Sequence, residues 1–281
     1  MESSQAANST LNRNMKSVLG AEANYEYVVP AVDRAARILM LLRAQGRGMT
    51  IAEITEATGW HKSSVHKLLV TLSHHGLLDR NEETKRYSLG IELIGYGQFV
   101  LNKLDSANAA KSLLKQLANF SGETANYCLL RGRKMVVVDS IESKTDLRVV
   151  PPIGTMNPLT MKSSGKAVLA FLPENRVRKI LEEEGLPALT KNSITEPEAF
   201  YGELAAVRKR GFATDFEEFR EGISGISAPV FNSRGNVVGT LSLVAPAFRM
   251  TKRKASIYGK KCAEAAAHLS SIVFYQDPAE Q

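Results

Sequence analysis

Apolar residues recur at helical spacing in three successive segments near the start of the chain, residues 31–44, 50–59 and 62–74. A three- or four-residue repeat puts apolar side chains on one face of a helix, so each segment predicts an amphipathic α-helix. Gly59 ends the second of these segments. Because a short turn centred on glycine between two helices is typical of a helix-turn-helix, the second and third segments predict that motif.

A short hairpin is predicted directly after the third helix. Leu77 and Leu78 begin an apolar strand, residues 81–85 form a polar turn, and residues 86–89 return as a second strand. A helix-turn-helix with such a wing favours binding to double-stranded DNA. We expect the third helix to enter the major groove and the wing to contact the backbone, through His61, Lys62, Ser63, Ser64, His66 and Lys67 on the helix and Lys85 and Arg86 on the wing.

The pattern then changes twice along the chain. Residues 1–28 are polar without a sustained period and are expected to form a mobile arm, and residues 29–90 form the winged helix-turn-helix domain. Residues 91–105 read as an apolar linker helix that contains Gly95 and Gly97. Since glycine disfavours a helix, we expect these two to allow close packing in a dimer rather than a bend.

Residues 106–276 form a second predicted domain, in which strands are joined by hairpins and flanked by helices. Helices are predicted at 107–120, 164–172, 174–183, 198–210 and 252–274, and strands at 124–130, 135–141, 147–150, 212–216, 225–231 and 237–244. Mostly antiparallel strands with segregated helices indicate an α+β domain rather than a doubly wound one. That arrangement suits a domain that senses a small ligand.

Composition narrows the class of protein. The chain has 281 residues, of which 44% are hydrophobic, and a formal net charge of +7 with a pI near 9.3, which favours a polyanionic partner. An apolar run long enough to span a membrane and the apolar core of a secretory signal are both missing, so a cytoplasmic protein is expected. Cys128 and Cys262 have no metal-ligand or redox spacing, and no disulfide is expected.

Five segments together resemble the IclR-type transcriptional regulators, over about residues 29–275. These segments are AEITEATGWHKSSVHKLLVTLSHHGLL, ETKRYSLG, PLTMKSSGKAVLAFLPE, RKRGFATDFEE and GISAPVFNSRGNVVGTLSL. The resemblance implies a winged helix, a linker helix and a GAF-like antiparallel-sheet effector domain, assembled as dimers or dimers of dimers on operator DNA. It further implies that a small metabolite, often a carboxylate or an aromatic acid, alters DNA binding or contacts with RNA polymerase.

The same resemblance implies an effector pocket with polar contacts and apolar walls. The expected contacts are Ser163, Ser164, Gly165, Asp215, Ile223, Gly225, Ser242 and Val244, and the expected walls are Ile153, Met156, Leu159 and Met161. Hydroxyls and backbone N–H groups at a helix N-terminus suit a carboxylate, with Lys166 or Lys162 adding positive charge. Lys162 departs from the family pattern, and of its two readings, a ligand contact or a solvated surface lysine, the second is favoured.

Other chemistries fit the residues less well. The S-x-x-K spacing of Ser163 and Lys166 lacks the partner motifs of serine acylases, and no phosphate-binding loop is complete. Four histidines near the third helix lack a shared face for zinc, and no metal or cofactor is expected. An enzyme fused to a DNA-binding module remains the alternative function. The basic residues that begin the last helix are read as a solvated face, with a subunit or polymerase contact left open.

Overall fold

The computed structural model describes residues 28–102 and 105–276, which fall into two compact units divided after Val100. The expected N-terminal arm, residues 1–28, lies almost entirely outside the described residues. Each unit has its own buried apolar core. The N-terminal unit holds one such core, and the larger C-terminal unit holds two.

Three helices and a hairpin form the N-terminal unit. The helices are α1 (Pro30–Gln45), α2 (Ile51–Thr58) and α3 (Lys62–His74). Thr50 caps α2 in a capping box with Glu53, and Gly59 ends α2 in the left-handed conformation, as the turn between two helices requires. Their inward faces meet in one core that includes Ile38, Leu41, Ile54, Val65 and Leu69.

The hairpin packs on this helical core. Strands β1 (Leu78–Arg80) and β2 (Tyr87–Leu89) pair antiparallel, and Tyr87 also bridges to Met49 ahead of α2. The Asn81 carboxamide accepts hydrogen bonds from two backbone N–H groups of the turn, which holds its tip in shape. The predicted helix-turn-helix and wing are thus both formed.

The linker helix α4 (Glu92–Asn102) follows the wing and leaves large apolar side chains exposed. Ile94 and Tyr96 are 68% and 63% exposed. Space is open around Gly95 and Gly97, since a Cβ added at either position would meet no described atom within 4 Å. Among the described residues of a single chain, no other element approaches these glycines, so their expected role in close packing rests on a second copy.

A six-stranded antiparallel sheet in the order β5-β4-β3-β8-β7-β6 organises the C-terminal unit. Its strands are β3 (Thr124–Arg131), β4 (Lys134–Ile141), β5 (Met156–Pro158), β6 (Ala213–Phe216), β7 (Ile223–Phe231) and β8 (Val237–Pro246). Its helices are α5 (Asp105–Ser121), α6 (Lys162–Leu169), α7 (Glu174–Glu184), α8 (Pro197–Arg210) and α9 (Lys252–Gln276).

Alternate residues of the strands face two separate cores. Tyr127 and Leu129 pack with α5 and α9, whereas Cys128 between them packs with α6, α7 and α8. This alternation is the period-two pattern expected of a sheet buried on both faces. The antiparallel pairing matches the predicted α+β class.

One predicted strand is wrong. Residues 147–150 form a loop, in which Leu147 is 60% exposed, and the free edge of β4 is occupied by β5 instead. Val136 of β4 pairs with Met156, a position that the sequence pattern did not mark as strand. Strand β5 therefore supplies the hydrogen-bond partners along that part of the β4 edge, and residues 147–150 do not pair there.

Candidate functional site

The exposed face of α3 carries most of the residues expected to contact DNA. His61, Lys62, Ser63, His66 and Lys67 are exposed. His61 precedes the helix, with Nδ1 3.0 Å from the Ser63 hydroxyl. This face offers cations, hydroxyls and imidazoles at the N-terminal end of a helix, groups that bind phosphates and base edges.

Ser64 is partly withdrawn from that face. It is half-buried, and its hydroxyl lies 3.4 Å from Nη1 of Arg34 on α1. Arg34 in turn lies over the Trp60 ring, 5.6 Å from its centroid. Ser64 therefore also joins α3 to α1, a role that the sequence did not indicate.

The two basic residues expected on the wing differ in their surroundings. Lys85 is exposed at the turn, with Nζ 3.3 Å from Glu82. Arg86 is half-buried, and its Nη1 donates to the Gly48 carbonyl at 2.8 Å and to Glu53 at 2.9 Å. Arg86 therefore also bonds the wing to α2, a role that the sequence did not indicate, and its contact with the DNA backbone stays a prediction.

The C-terminal unit holds a cavity of about 300 Å³ between the sheet, the N-terminus of α6 and two loops. Such a volume is at the small end of known ligand pockets. Seven of the residues expected to contact an effector lie along it: Ser163, Ser164, Asp215, Ile223, Gly225, Ser242 and Val244. The loop at 149–152, wrongly predicted in part as a strand, supplies an apolar wall.

The five other expected contacts lie outside the cavity lining. Ile153 and Met156 are 58% and 50% exposed, while Leu159 is fully buried in the core beneath α6 and α8. Met161 precedes α6 as its N-cap. Gly165 packs on the loop before the helix, where an added Cβ would overlap the Leu159 carbonyl group, so its lack of a side chain serves helix packing.

A chain of hydroxyl groups runs along one side of the cavity. Ser227 Oγ lies 2.9 Å from Ser163 Oγ and 2.8 Å from Ser242 Oγ, and Ser242 Oγ lies 3.3 Å from the Thr240 hydroxyl. Each hydroxyl both donates and accepts, so this chain can present either role to a ligand.

Sequence reasoning missed several lining residues, of which Asn126, Ser227, Phe219 and Arg220 matter most. A signal for two of them was present, because Asn126 and Ser227 interrupt apolar strand segments. The sheet register places both beside Ser242, which pairs with Asn126 on one side and with Ser227 on the other. Three polar residues thus line up across three strands at one point of the cavity.

Three charged side chains line the cavity. Burial raises the pKa of Asp215, whose carboxylate accepts a hydrogen bond from the Glu218 N–H at 2.8 Å. Burial lowers the pKa of Lys162; the nearby Cys128 and Asp215 oppose that shift, and Arg220 adds a smaller lowering. The preference for Lys162 as a solvated surface residue was wrong, since the side chain lines the cavity and its Nζ lies 4.1 Å from the Phe219 ring centroid.

Lys166, unlike Lys162, does not line this cavity and is buried in an ion pair. It is 2% exposed, and its Nζ lies 2.6 Å from Glu218 and 3.6 Å from Glu203. The sequence suggested that Lys166 adds positive charge for an anion at Ser163. The structure shows that its ammonium is instead paired with Glu218. The S-x-x-K spacing is also not a nucleophile with its base, because the Ser163 hydroxyl bonds to Ser227 and the Lys166 amine to Glu218.

Other features of the described residues bear on the class of site. Within residues 28–102 and 105–276, no group of three or more histidine, cysteine, aspartate or glutamate side chains is placed to hold a metal ion. No described helix is long and apolar enough to cross a membrane. Lys252, Arg253, Lys254, Lys260 and Lys261 are exposed on α9, with Lys261 paired to Glu264.

Both units resemble known proteins. Residues 31–82 match the IclR helix-turn-helix domain, and residues 98–271 match the family described as the bacterial transcriptional regulator IclR C-terminal domain. The transcriptional regulator XynR of Escherichia coli K12 is 31% identical over 88% of this chain and 98% of its own length. The regulator KdgR of the same organism is 29% identical over 92% of this chain and 98% of its own length.

Solved structures show the same likeness. IclR of Thermotoga maritima is 31% identical with a TM-score of 0.71, over 86% of this chain and 98% of its own. An IclR transcriptional regulator from Alicyclobacillus acidocaldarius is 32% identical with a TM-score of 0.79, over 88% of this chain and all of its own. The named relatives are transcriptional regulators, which agrees with a regulatory rather than an enzymatic role.

Proposed function

This chain belongs to the IclR family of transcriptional regulators, and from that premise we propose that a small organic acid bound in the C-terminal cavity modulates its binding to operator DNA. The observation that carries this proposal is the cavity, where hydroxyls, two cations and an apolar wall converge. Pockets with mainly apolar walls and a few polar groups are typical of ligand sites. An aromatic acid is included in this class, and the protein would act in the cytoplasm, where operator DNA lies.

The DNA contacts are assigned to α3 and the tip of the wing. Lys62 and Lys67 bind phosphates, and Ser63 and His66 reach base edges in the major groove. Their exposure on one end of α3 supports this assignment. His61 lies beside Ser63 and contributes to the same surface.

Two copies of the chain would bind the two halves of an operator. Support comes from α4 and the residue before it, since Ile91, Ile94 and Tyr96 are between 63% and 70% exposed in the single chain. An apolar helix with this much exposed surface is costly in water and is typical of a protein–protein interface. A dimer, or a dimer of dimers, would cover it and fix the spacing of the two α3 helices.

The experiment combines DNA selection with ligand screening. Operator sequences are first selected from random DNA by the full-length protein, and binding is measured by fluorescence anisotropy with small acids added. An acid at a hundred times its Kd should stabilise the protein by about 2.7 kcal/mol and shift its affinity for operator DNA.

The control is a variant in which a larger side chain on the loop at 149–152 fills the cavity. Val149 is half-buried and lines the cavity, so Val149→Trp should abolish the ligand response while DNA binding persists. If the Val149→Trp protein responded to the same acid as the wild type, the effector site would lie elsewhere.

A further inference from the structure

Two lysines one helical turn apart on α6 have opposite surroundings. Lys166 is buried against two carboxylates, with Nζ 2.6 Å from Glu218. Lys162 lines the cavity, and among the described residues no carboxylate oxygen lies within 4.0 Å of its Nζ. Its Nζ lies over the Phe219 ring, 4.1 Å from the ring centroid. Thus Lys166 forms an ion pair within the fold, whereas Lys162 forms none within 4.0 Å among the described residues and interacts with Asp215 only from a greater distance.

The backbone at Lys162 is strained. Its φ is +62°, in the left-handed region that lysine rarely adopts. Glu217 has a φ of +59°, and it begins the loop that carries Phe219. Strain of this kind persists where the surroundings enforce it, often at ligand sites. Here both strained residues adjoin segments that line the cavity.

The loop that carries Phe219 is held in place by the neighbouring residue Glu218. Glu218 bonds to Lys166 through both carboxylate oxygens, and its carbonyl accepts a hydrogen bond from the Ser193 hydroxyl at 2.7 Å. These bonds fix the aromatic ring against which Lys162 lies. Arg220 follows on the same loop, with its guanidinium carbon 5.8 Å from the centroid of that ring.

The charges that line the cavity do not cancel. Lys162 and Arg220 are basic, and Asp215 is the one acidic residue among the lining residues of the described chain. An unpaired ammonium in a partly buried site is costly unless an anion accompanies it. One negative charge on a ligand would balance the set. The serine hydroxyls and the carboxamide of Asn126 would then contact an uncharged polar group of the ligand. The apolar walls would contact its hydrocarbon part.

We propose that Lys162, with Arg220 beside it, binds the charged group of a singly charged organic acid, and that Lys162 makes the cavity select acids over their neutral analogues. The proposal rests on the cavity being the effector site. It assigns the anion to the Phe219 side rather than to the hydroxyl of Ser163, which already bonds to Ser227. The ligand class is a monocarboxylate with a further hydroxyl or carbonyl group, small enough for about 300 Å³.

The test uses small acids paired with their primary amides, since each pair differs in charge but little in shape. The pairs 4-hydroxybenzoate and 4-hydroxybenzamide, and lactate and lactamide, are titrated into full-length protein by calorimetry and thermal shift. We expect at least one acid to bind the wild type more tightly than its amide. Lys162→Met should weaken that acid by on the order of 10- to 100-fold and leave the amide nearly unchanged.

Two further variants separate charge from shape and from folding. Lys162→Arg keeps the positive charge and should restore part of the preference for the acid. Lys144→Met removes an exposed lysine from another loop of the same unit and should behave as the wild type. Melting temperatures without ligand show that each variant is folded.

The outcomes distinguish this inference from the proposed function. An acid preference equal in the wild type and Lys162→Met would overturn the inference. If only neutral compounds bound, and Val149→Trp abolished that binding, the cavity would still be an effector site but Lys162 would not be its selector. If no acid or amide stabilised the wild type more than Lys162→Met, the inference would be wrong.

Discussion

Arg86 on the wing donates a hydrogen bond to Glu53 on α2, with Nη1 2.9 Å from Oε2. The same carboxylate accepts the Thr50 N–H at 2.6 Å and so completes the capping box of α2. One acidic side chain therefore holds the start of the helix-turn-helix and fastens the wing to it. A residue that reads as a helix cap in the sequence also connects two elements of the fold.

Replacing Glu53 should destabilise the protein by an amount that depends on pH. The backbone hydrogen bond from Thr50 lowers the pKa of Glu53 to about 2, from 4.5. Because the folded pKa is depressed, the stabilisation is present above about pH 4.5 and is lost as the pH falls towards 2. Glu53→Ala should cost about 1–2 kcal/mol at pH 7 in urea unfolding, mainly through the lost cap.

Glu53→Gln is the matched variant, since glutamine can keep the hydrogen bond to Thr50 without the charge. It should cost about 1 kcal/mol or less at pH 7, because the ion pairs are partly exposed. The difference from wild type should shrink towards zero near pH 2. A difference that stayed constant across this range would show that the charge of Glu53 does not contribute.

Substitutions on α3 should separate phosphate contacts from base contacts. Lys67→Ala should weaken binding to operator and random DNA alike and reduce the slope of log K against log salt by about 1. Ser63→Ala or His66→Ala should instead change sequence preference, by about 1–3 kcal/mol at the affected base pair. Anisotropy titrations on both DNAs measure this. Equal losses on every sequence for all three variants would contradict the groove assignment.

Periodicity alone located the helices to within a few residues, because their apolar faces are continuous. It failed at residues 147–150, since strand pairing depends on tertiary neighbours rather than on local pattern, and the edge of β4 pairs with β5. Likewise, no local pattern distinguishes Lys162 from Lys166. Their difference arises from Glu218, which lies far along the chain and reaches only one of them.

The cavity shows the same limit. Ser163 and Asp215 were found because motif segments mark them, but Asn126 and Ser227 become neighbours of Ser242 only through strand register. Gly165 was assigned to the ligand although its role is to let α6 approach Leu159. A sequence shows that a glycine is present, whereas the structure shows what would collide with a side chain there.

Gly165→Ala should therefore destabilise the C-terminal unit strongly. The added methyl group would overlap the backbone of Leu159, which cannot move aside as a flexible side chain could. We expect a loss of about 2–4 kcal/mol in urea unfolding, typical of overpacking against a rigid neighbour. Gly202→Ala on α8 is the control, because nothing lies within 4 Å of its added Cβ. That variant should be neutral or stabilised by up to about 1 kcal/mol.

Self-association should depend on the exposed side of α4. Ile94→Glu places a charge where an apolar residue is 68% exposed in the single chain. If two copies meet there, sedimentation velocity should show a shift from dimer towards monomer. Gly95→Ala gives an independent check. The substitution should favour the helix by up to about 1 kcal/mol, yet its added methyl group should weaken an association that depends on close packing at this position. Both variants remaining as dimeric as the wild type would move the interface elsewhere.

The two cysteines should react slowly with thiol reagents in the folded protein. Burial raises the pKa of both Cys128 and Cys262 to about 12, from 9.0. The nucleophile is the thiolate, so a pKa about three units higher leaves on the order of 1,000-fold less of it at pH 8. Modification by a disulfide reagent should accelerate by at least that factor in denaturant, and rapid reaction of native protein would contradict the burial.

Cys128 and Cys262 should then differ in their response to ligand. Cys128 lines the cavity, whereas Cys262 lies on the buried face of α9, where its thiol donates to the Leu241 carbonyl. An acid that fills the cavity should slow modification of Cys128 further and leave Cys262 unchanged. Cys262→Ala and Cys128→Ala report each thiol alone. Because protection is read at a single atom, this measurement places the ligand in the cavity without any assumption about how DNA binding responds, and equal protection of both thiols would instead indicate global stabilisation.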